Sequence, residues 1–391
     1  MNTTQAGILA LIKSALTQQP QPLPKGFEPE QAYPEIKRHH LMPLIFEGAV
    51  LCGVPQQGQT MMTLFQSYCK ALQISEGQMG QFRRICDAFE AAGIDYMPLK
   101  GCNMKFRYPK PELRTMGDAD ILIRTEQYPR IAPVLEELGF EFKDETDHEL
   151  VWTGRELYVE LHKRLIPSYN VDLDGWFGDG WKLARKGSGT RHDMTPEDEF
   201  VYLFTHFAKH YRDGGIGCRH VADLWVCRRS FAGMDEGQVR RSLEQLCLLE
   251  FYENICRLLT VWFEDKPADE KTDFMTDFIF SSGSFGADEC RTASRAVRDT
   301  KHTLPGVSGR RVYIWQTVFP PVEVLRGKYR ILKNHPWLLP VVWLVRPVYK
   351  VLFEWRTLDR QKRNLEAVSR ENLRTRQDAL HYVGLDYEMG R

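Results

Sequence analysis

Two short stretches of the sequence decide the fold and the candidate site: LKG at residues 99–101 and RTMGDADILI at residues 114–123. Asp118 and Asp120 are two residues apart and run directly into the apolar residues 121–123. If this run is a strand, its side chains alternate between two faces, so both carboxylates lie on the same face. Carboxylates about 7 Å apart along a rigid strand suit one or two hard divalent cations, which prefer oxygen ligands. Without a cation the two charges would raise each other's pKa, so the pattern predicts a metal site.

A third acidic residue lies on a strand predicted later in the chain. Residues 148–153 and 156–165 flank a short Gly-Arg turn and have the pattern of a β-hairpin. On the second arm Tyr158, Glu160 and His162 share one face, while the residues between them are apolar. We therefore expect the Glu160 carboxylate to meet the aspartate pair across the sheet.

The glycine at position 101 follows a predicted strand over residues 94–99 and opens a predicted short helix that ends at Phe106. A glycine at such a turn lets the backbone approach a ligand closely, and a helix N-terminus presents free N–H groups to an anion. The ammonium group of Lys100 would add a positive charge for a phosphate. The alternative is that Gly101 only makes the turn and that Lys100 is solvated.

Composition excludes several classes of protein. Lys plus Arg equals Asp plus Glu, 52 of each in 391 residues, so no overall positive field argues for a specific nucleic-acid partner. The nine cysteines are scattered, odd in number and without a C-x-x-C pair, which is typical of a reduced compartment rather than of disulfides or a zinc site. Residues 1–5 lack the basic and apolar regions of a signal peptide. We therefore expect a cytoplasmic protein.

The chain is long enough for about two or three domains, and its composition changes along the sequence predict three regions. These are an N-terminal helical region over residues 1–92, an α/β core over residues 93–190, and a C-terminal helical region over residues 191–391 that ends in a basic and aromatic tail. The predicted order of elements in the core is β-α-β-α-β-β. This order implies a mixed β-sheet with helices, and hence an α+β fold.

Apolar residues at helical spacing predict helices over residues 6–17, 35–51 and 60–92. His39 and His40 are adjacent and point to different faces of the second helix, so we interpret both as structural. We expect the third helix to bury an apolar stripe. The stripe consists of Leu64, Tyr68, Leu72, Met79, Phe82, Ile85 and Phe89.

The C-terminal region begins with a clear helix start, because Thr195 can cap the helix and Pro196 fits its first turn. Further helices are predicted over residues 235–263 and 265–280. The apolar stretch 337–353 is shorter than the ~20 residues of a membrane span and contains two prolines, an arginine and a lysine. We expect it to pack on the domain, with weak contact to a membrane surface as the alternative.

Several separated motifs, taken together, resemble the uncharacterised nucleotidyltransferase family, a divergent branch of the DNA polymerase beta-type nucleotidyltransferase superfamily. The resemblance covers about residues 90–230 and implies a nucleotidyltransferase-like fold for the core. It also implies a glycine turn at Gly101, an acidic pair at Asp118 and Asp120, and a third acid at Glu160. The motifs are Leu99-Lys100-Gly101, Tyr108-Pro109, residues 114–123, residues 159–162, residues 205–210 and residues 219–223.

The resemblance implies transfer of an NMP from an NTP such as ATP to a hydroxyl of a small molecule or protein. Asp118 and Asp120 would hold Mg²⁺ (or Mn²⁺) on the triphosphate, and Glu160 would complete a second metal position or accept the hydroxyl proton. The usual Gly-Ser turn of the superfamily is Gly-Cys here, because Cys102 follows the glycine. The resemblance therefore places Lys100, Gly101, Cys102 and Arg114 at the phosphates of the nucleotide, with Lys100 or Arg114 in place of the missing serine hydroxyl.

Two other functions are consistent with the sequence. His206 and His210 are four residues apart on a predicted helix, so they share a face and could form a hydrolase metal site with Asp223. No glutamate follows the first histidine as in H-E-x-x-H, and such histidines are more often core residues. The other alternative is a non-catalytic nucleotide-binding or regulatory protein of the same fold. Three clustered acids without a metal would, however, destabilise such a protein.

Overall fold

The structure is a computed structural model of the 391-residue chain. It describes residues 1–168, 170–283, 315, 319–320, 322–325, 329, 331–345 and 370–386. These residues divide into two compact units. The first takes residues 1–208 and 216–283, and the second takes the described residues of 209–215 and 315–386. Within the described residues, no helix combines the length and the apolar character needed to span a membrane.

Four helices precede the sheet in the first unit: α1 (Thr3–Thr17), α2 (Pro29–Arg38), α3 (Met42–Leu51) and α4 (Gln59–Ala91). The predicted first and third helices are confirmed. The predicted helix over residues 35–51 is wrong, because two helices occupy this region and the first of them starts six residues earlier. The helix is interrupted at His40, whose φ of 52° lies in the left-handed region. An α-helix cannot continue through that conformation.

Helix α4 buries most of the predicted stripe. Its buried apolar residues are Met61, Leu64, Met79, Phe82, Ile85 and Phe89. The prediction is wrong for Leu72, which is 41% exposed, while Tyr68 is half-buried. Tyr68 instead donates its hydroxyl proton to a carboxylate oxygen of Glu112, at 3.0 Å.

A five-stranded sheet forms the centre of the first unit. Its strands are β1 (Tyr96–Pro98), β2 (Asp118–Ile123), β3 (Glu141–Glu145), β4 (Glu149–Thr153) and β5 (Tyr158–His162), in the spatial order β1-β2-β5-β4-β3. Only β2 and β5 are parallel, and the other neighbouring pairs are antiparallel. Helix α5 (Gly101–Met104) connects β1 to β2, and α6 (Tyr128–Glu137) follows β2. The predicted mixed sheet, hairpin and α+β fold are confirmed.

The two faces of β2 and β5 differ in polarity. One face carries residues that are completely buried in the core with apolar side chains of α4 and α6. On β2 and β5 these residues are Ala119, Ile121, Ile123, Val159 and Leu161. Burying each large aliphatic side chain contributes about 1.5–3 kcal/mol, so this face fixes the register of both strands. The alternating polar residues must then lie on the opposite face.

The rest of the first unit is mostly helical. Its elements are α7 (Val171–Phe177), a two-stranded ribbon of β6 (Arg185–Lys186) and β7 (His192–Asp193), α8 (Pro196–Asp213), α9 (Cys218–Ser230), α10 (Glu236–Gln245), α11 (Leu249–Phe263) and α12 (Glu270–Ser282). The last residues of α8, 209–213, belong to the second unit. Helix α8 starts as predicted, since the Thr195 hydroxyl oxygen accepts the Asp198 N–H at 3.2 Å. The predicted single helix over residues 235–263 is wrong. It is broken before α11 at Cys247, which has a φ of 53°.

In the second unit the described residues form short helices at Val322–Leu325, Ile331–Asn334 and 339–345 and a longer one at Arg370–Tyr382. The first three pack through buried Leu325, Leu332 and Val342. The predicted apolar stretch 337–353 is described only as far as residue 345, so its remaining residues lie outside the described part. Packing of this stretch on the domain and contact with a membrane surface both stay predictions.

Candidate active site

The parallel strands β2 and β5 carry the acidic residues of the candidate site. Asp120 is the register partner of Glu160, and Asp118 lies two residues earlier on the same face of β2. The same register sets His162 beside Leu122. The three carboxylates that the sequence predicts as metal ligands are therefore neighbours on the polar face of the sheet.

Asp120 is the most buried of these acids, with 6% of its side chain exposed. Its Oδ1 accepts a hydrogen bond from Lys100 Nζ at 2.8 Å and lies 2.8 Å from His162 Nε2. Burial by itself would raise the pKa of Asp120, but the Lys100 charge and the His162 hydrogen bond hold it well below its ordinary value. The second oxygen, Oδ2, accepts no hydrogen bond from any described residue. Asp120 is thus ionised and has one oxygen left for a further ligand.

Asp118 forms no ion pair with any described residue, and Glu160 Oε2 lies 3.7 Å from His162 Nε2, which is already bonded to Asp120. Burial raises the pKa of Asp118, and the charges of Asp120 and Glu160, together with a hydrogen bond shared with Glu160, raise it further. The Glu160 side chain is 25% exposed, so it can be reached from solvent. With all three acids ionised, the site would hold more negative charge than Lys100 and His162 neutralise, and a divalent cation would favour this ionised state.

His162 completes a group with metal-ligand geometry. Asp120, Glu160 and His162 each offer a ligand atom within 4.8 Å of the others, and no other such group of three occurs in the described part of the chain. The two carboxylates are ligands that suit Mg²⁺ or Mn²⁺, whereas an imidazole suits softer transition metals, and Asp118 adds a further carboxylate beside them. Sequence reasoning did not select His162 as a ligand. The feature of the sequence that could have identified His162 is its position on the same face of the predicted strand as Glu160.

The predicted glycine turn lies next to this group. Lys100 itself has a φ of 41°, a conformation that is strained for a residue with a side chain. The Leu99 N–H donates to the carbonyl oxygen of Asp120 at 2.9 Å, and this backbone hydrogen bond holds the turn against β2. Burial lowers the pKa of Lys100, but Asp120 raises it more, and the pKa ends above its ordinary value. The lysine is therefore a fixed cation at the acidic face rather than a solvated side chain.

Gly101 and Cys102 have different surroundings. A Cβ atom at Gly101 would lie 2.9 Å from Arg114 Nη1 and 3.0 Å from Met116 Sδ, so this position has no space for a side chain. Cys102 is 1% exposed and packs in the apolar core, and burial raises the pKa of its thiol. The Cys102 side chain thus lies in the core, whereas the sequence predicts it at the phosphates.

Arg114 binds a residue that the sequence assigned to a different site. Its Nε and Nη2 donate to Asp223 Oδ1 and Oδ2 at 2.9 and 3.1 Å, and the Tyr108 hydroxyl donates to Oδ1 at 2.8 Å. Asp223 therefore neutralises Arg114, and the pKa of Asp223 is lowered, since the nearby guanidinium outweighs burial. Within the described residues, Asp223 belongs to no group of three potential metal ligands with His206 or His210.

The sequence pattern of a family described as uncharacterised nucleotidyltransferase matches residues 25–264, which is more than half of the chain. The chain belongs to the uncharacterised nucleotidyltransferase family. Every site residue described above lies inside the matched region of this nucleotidyltransferase-family protein. No curated protein is significantly similar to it.

Among solved structures, the solution structure of the antibiotic-resistance factor ANT(2'')-Ia is similar to this nucleotidyltransferase-family protein. The similarity covers 46% of this chain and 98% of that one, with 12% identity and a TM-score of 0.34. A likeness this distant says nothing about activity.

Two further residues at the site of this nucleotidyltransferase-family protein were not selected as site residues from its sequence, although Arg219 begins one of the motifs of the resemblance. Tyr202 on α8 is buried, and its hydroxyl lies beside the Lys100 ammonium group. Arg219 on α9 donates from Nη1 to the carbonyl and hydroxyl oxygens of Thr115, at 3.1 and 3.3 Å. Both come from helices remote in sequence from the sheet, so only the tertiary fold brings them to the site.

Proposed function

We propose that this protein transfers a nucleoside monophosphate from an NTP to a hydroxyl group of a small molecule or a protein. The observation that carries the proposal is the meeting of Asp118, Asp120 and Glu160 on one face of two parallel strands. Membership of the nucleotidyltransferase family supports it. Because the acids carry uncompensated negative charge, the site needs a cation before it can accept an anionic triphosphate.

The donor set fits one or two divalent cations such as Mg²⁺ or Mn²⁺, held by Asp118, Asp120 and Glu160 with His162 beside them. When bound, the metal would neutralise the triphosphate and stabilise the charge on the attacking and leaving oxygens. His162 and Lys100 already hold Asp120 Oδ1 in place. This fixed geometry preorganises the carboxylates for binding.

The proposed reaction is an in-line displacement at the α-phosphorus. The hydroxyl oxygen of the acceptor forms a bond to phosphorus, and the bond to the bridging oxygen breaks, so that pyrophosphate leaves with the bonding electrons. Glu160 is the acid that solvent reaches, and we assign it the role of accepting the hydroxyl proton on a carboxylate oxygen. Lys100 would shift from Asp120 toward the phosphates, where its charge stabilises the leaving group.

A non-catalytic nucleotide-binding protein is the second candidate, and a specific contact favours it. The Lys100 ammonium group lies 2.8 Å from Asp120 Oδ1 and pairs with it. It therefore takes the place at this oxygen that a metal cation would otherwise use. If this pair never opens, the protein binds nucleotide without transferring it. A metal-dependent hydrolase built on Asp223 is less well supported, since Arg114 and Tyr108 occupy that carboxylate.

The test measures binding and turnover of the four NTPs with Mg²⁺ or Mn²⁺. Wild type is compared with the double variant Asp118→Asn/Asp120→Asn and with the control Asp144→Asn, which changes an exposed aspartate of β3. We expect metal-dependent NTP binding and pyrophosphate release in wild type and in the control, and neither in the double variant. NTP binding without pyrophosphate release, with any acceptor tried, would support the second candidate. Wild type that bound no NTP with either metal would refute the proposal.

A further inference from the structure

Two guanidinium groups next to the acidic site share one carboxylate. Arg114 is paired with Asp223 through two hydrogen bonds. Among the described residues, Arg219 donates only to oxygens of Thr115, which are neutral. Of the carboxylates that act on Arg219, Asp223 is the strongest, and it is already occupied by Arg114. The cluster therefore carries one more positive than negative charge.

A third cation increases this surplus. Lys105 is 1% exposed, and its Nζ donates to the backbone oxygen of Arg114 at 3.1 Å. Among the described residues it forms no ion pair. Burial and the Arg114 charge lower the pKa of Lys105 to about 8, so it is still mostly protonated at neutral pH. The Glu112 carboxylate acts on Lys105 without forming an ion pair with it in the described part of the chain, and positive charges that lack a paired carboxylate favour an anionic ligand.

Unused hydrogen-bond donors point in the same direction. The Nε of Arg219 is buried and has no hydrogen-bond partner among the described residues. Arg114 Nη1 also forms no hydrogen bond in that part of the chain, since Asp223 is bound through Nε and Nη2. A guanidinium presents five N–H donors in a fixed planar fork that matches the oxygens of a phosphate. A buried donor without a partner destabilises the protein, and a ligand that accepts a hydrogen bond from it would remove this penalty.

The position of the arginines determines which anion they would meet. Arg114 Nη1 lies against the Lys100–Gly101 turn, 2.9 Å from the point where a Cβ of Gly101 would be. Arg219 is bonded to Thr115, three residues before Asp118, and the Asp118 charge acts on its guanidinium. The surplus of positive charge thus lies between the turn and the acids that would hold the transferred phosphate.

We propose that Arg219, together with the free Nη1 of Arg114, binds the β- and γ-phosphates of the NTP, which leave as pyrophosphate. The inference rests on the proposed function, because it takes an NTP as the ligand of the acidic site. Arg219 is then a substrate-binding residue contributed by helix α9 to a reaction centre on the sheet. Its bonds to Thr115 orient the guanidinium, and its Nε is left for a phosphate oxygen.

Calorimetric titration of the full chain with Mg²⁺ tests this assignment. The probes are the NTP that binds tightest to wild type, the corresponding NMP and inorganic triphosphate. Arg219→Gln is compared with Arg219→Lys, which keeps the charge, and with Arg229→Gln, which removes an exposed arginine of the same helix that stacks on Trp225. Thermal unfolding is followed for each variant, so that a folding defect is recognised, and Arg219→Lys then serves as the test variant.

A hydrogen bond to a charged group contributes about 1.5–3 kcal/mol, so Arg219→Gln should weaken NTP and inorganic triphosphate binding about 10- to 100-fold. NMP binding should stay the same in all variants, Arg219→Lys should lose less affinity, and Arg229→Gln should match wild type. Equal NTP affinity in wild type and Arg219→Gln would overturn the assignment and leave the proposed function intact. Equal loss of NTP and NMP affinity would also overturn it. Failure of wild type to bind any NTP would instead refute the proposed function itself.

Discussion

Asp120 and Glu160 are register partners on the two parallel strands of an otherwise antiparallel sheet. In this arrangement the side chains of both residues leave the sheet on the same face, and the apolar residues beside them anchor both strands in the core. A shift of either strand by one residue would move its acid into the core. The position of the carboxylates is therefore set by hydrophobic packing on the other face, and does not require a bound metal.

Replacing Asp118 by asparagine should stabilise the metal-free protein. The pKa of Asp118 is raised by burial and by the neighbouring acids. A group with a raised native pKa stabilises the fold at low pH, and this contribution is lost as the pH rises through the native value. At neutral pH Asp118→Asn should therefore raise the free energy of unfolding by about 1 kcal/mol. Urea unfolding in EDTA measures the change.

Added Mg²⁺ should make wild type more stable than Asp118→Asn. A metal at ten times its Kd stabilises the native state by about 1.4 kcal/mol, and we expect this gain in wild type but not in Asp118→Asn. Asp120→Asn is the contrasting variant, because it leaves Lys100 without its carboxylate and should destabilise the metal-free protein. Equal stabilisation of wild type and Asp118→Asn by Mg²⁺ would exclude Asp118 as a ligand.

The strands of the site could be predicted from the sequence because their signals are local. Alternation of polar and apolar residues has a period of two in any strand, so Asp118, Asp120, Glu160 and His162 could be assigned to faces without knowledge of the fold. The hairpin predicts that β4 and β5 are neighbours, but the β-α-β order does not give the parallel pairing of β2 with β5. The roles of these side chains in binding and catalysis stay predictions.

Contacts between remote residues could not be predicted in this way. Arg114 was assigned to a phosphate, but its partner Asp223 is 109 residues later in the chain. The helix break at His40 contains no glycine or proline, and the preceding His39 contacts residues 179 and 241 positions away. Such breaks and ion pairs depend on tertiary packing, which a local pattern does not contain.

Replacing Lys100 by methionine should have opposite effects on stability and on metal binding. Removal of one partner of a buried ion pair destabilises a protein by about 3–5 kcal/mol, and Asp120 is 6% exposed. The site then has one positive charge fewer, so we expect tighter binding of Mg²⁺ without nucleotide and weaker binding of NTP. Urea unfolding and calorimetric titration give the two quantities.

The matched control is Lys143→Met, which removes the partner of Glu141 in a pair whose two side chains are both exposed. Exposed ion pairs contribute about 0–1 kcal/mol, so its stability should change little and its Mg²⁺ affinity should be that of wild type. A Lys100→Met variant with unchanged Mg²⁺ affinity would mean that the lysine does not compete with the metal at Asp120.

Arg114 and Asp223 should be strongly coupled in a double-mutant cycle. Both side chains are about 90% buried and joined by two hydrogen bonds. We expect a coupling free energy of about 2–3 kcal/mol between Arg114→Gln and Asp223→Asn in urea unfolding. The exposed pair Lys143 and Glu141 is the control, with an expected coupling below about 0.5 kcal/mol.

Asp223→Asn also discriminates between the candidate functions. In a hydrolase built on this residue, the variant would no longer be stabilised by metal. In the proposed transferase it should keep its stabilisation by Mg²⁺, because the acids of the sheet are unchanged. Thermal unfolding with and without Mg²⁺ at equal protein concentration separates the two.

His39 should make the protein less stable as the pH falls. Its ring is completely buried, with Nδ1 accepting the Cys218 N–H at 3.2 Å and Nε2 3.1 Å from the Phe280 carbonyl oxygen. Burial lowers its pKa from the ordinary value of 6.5. The unfolded chain therefore binds a proton that the native protein excludes, and stability is lost below pH 6.5.

Between pH 7.5 and 5.5 this loss is at most about 1.4 kcal/mol. The His39→Gln variant should lose that part of the pH dependence, and the control His381→Gln, which changes an exposed histidine, should retain it. Urea unfolding at several pH values measures the slopes. An unchanged slope in His39→Gln would show that the ring binds protons equally in the native and the unfolded protein.

Gly101→Ala tests the close packing of the turn against Arg114. A Cβ atom there would lie 2.9 Å from Arg114 Nη1 and 3.0 Å from Met116 Sδ, so both side chains must move. We expect a destabilisation of about 1–3 kcal/mol and weaker NTP binding, because Arg114 is displaced from the turn.

Gly80→Ala is the matched control, since nothing lies within 4 Å of its added Cβ and it sits inside α4. There the substitution should stabilise the helix by up to about 1 kcal/mol. Tighter NTP binding by Gly101→Ala would mean that the turn must open away from Arg114 for the nucleotide to enter.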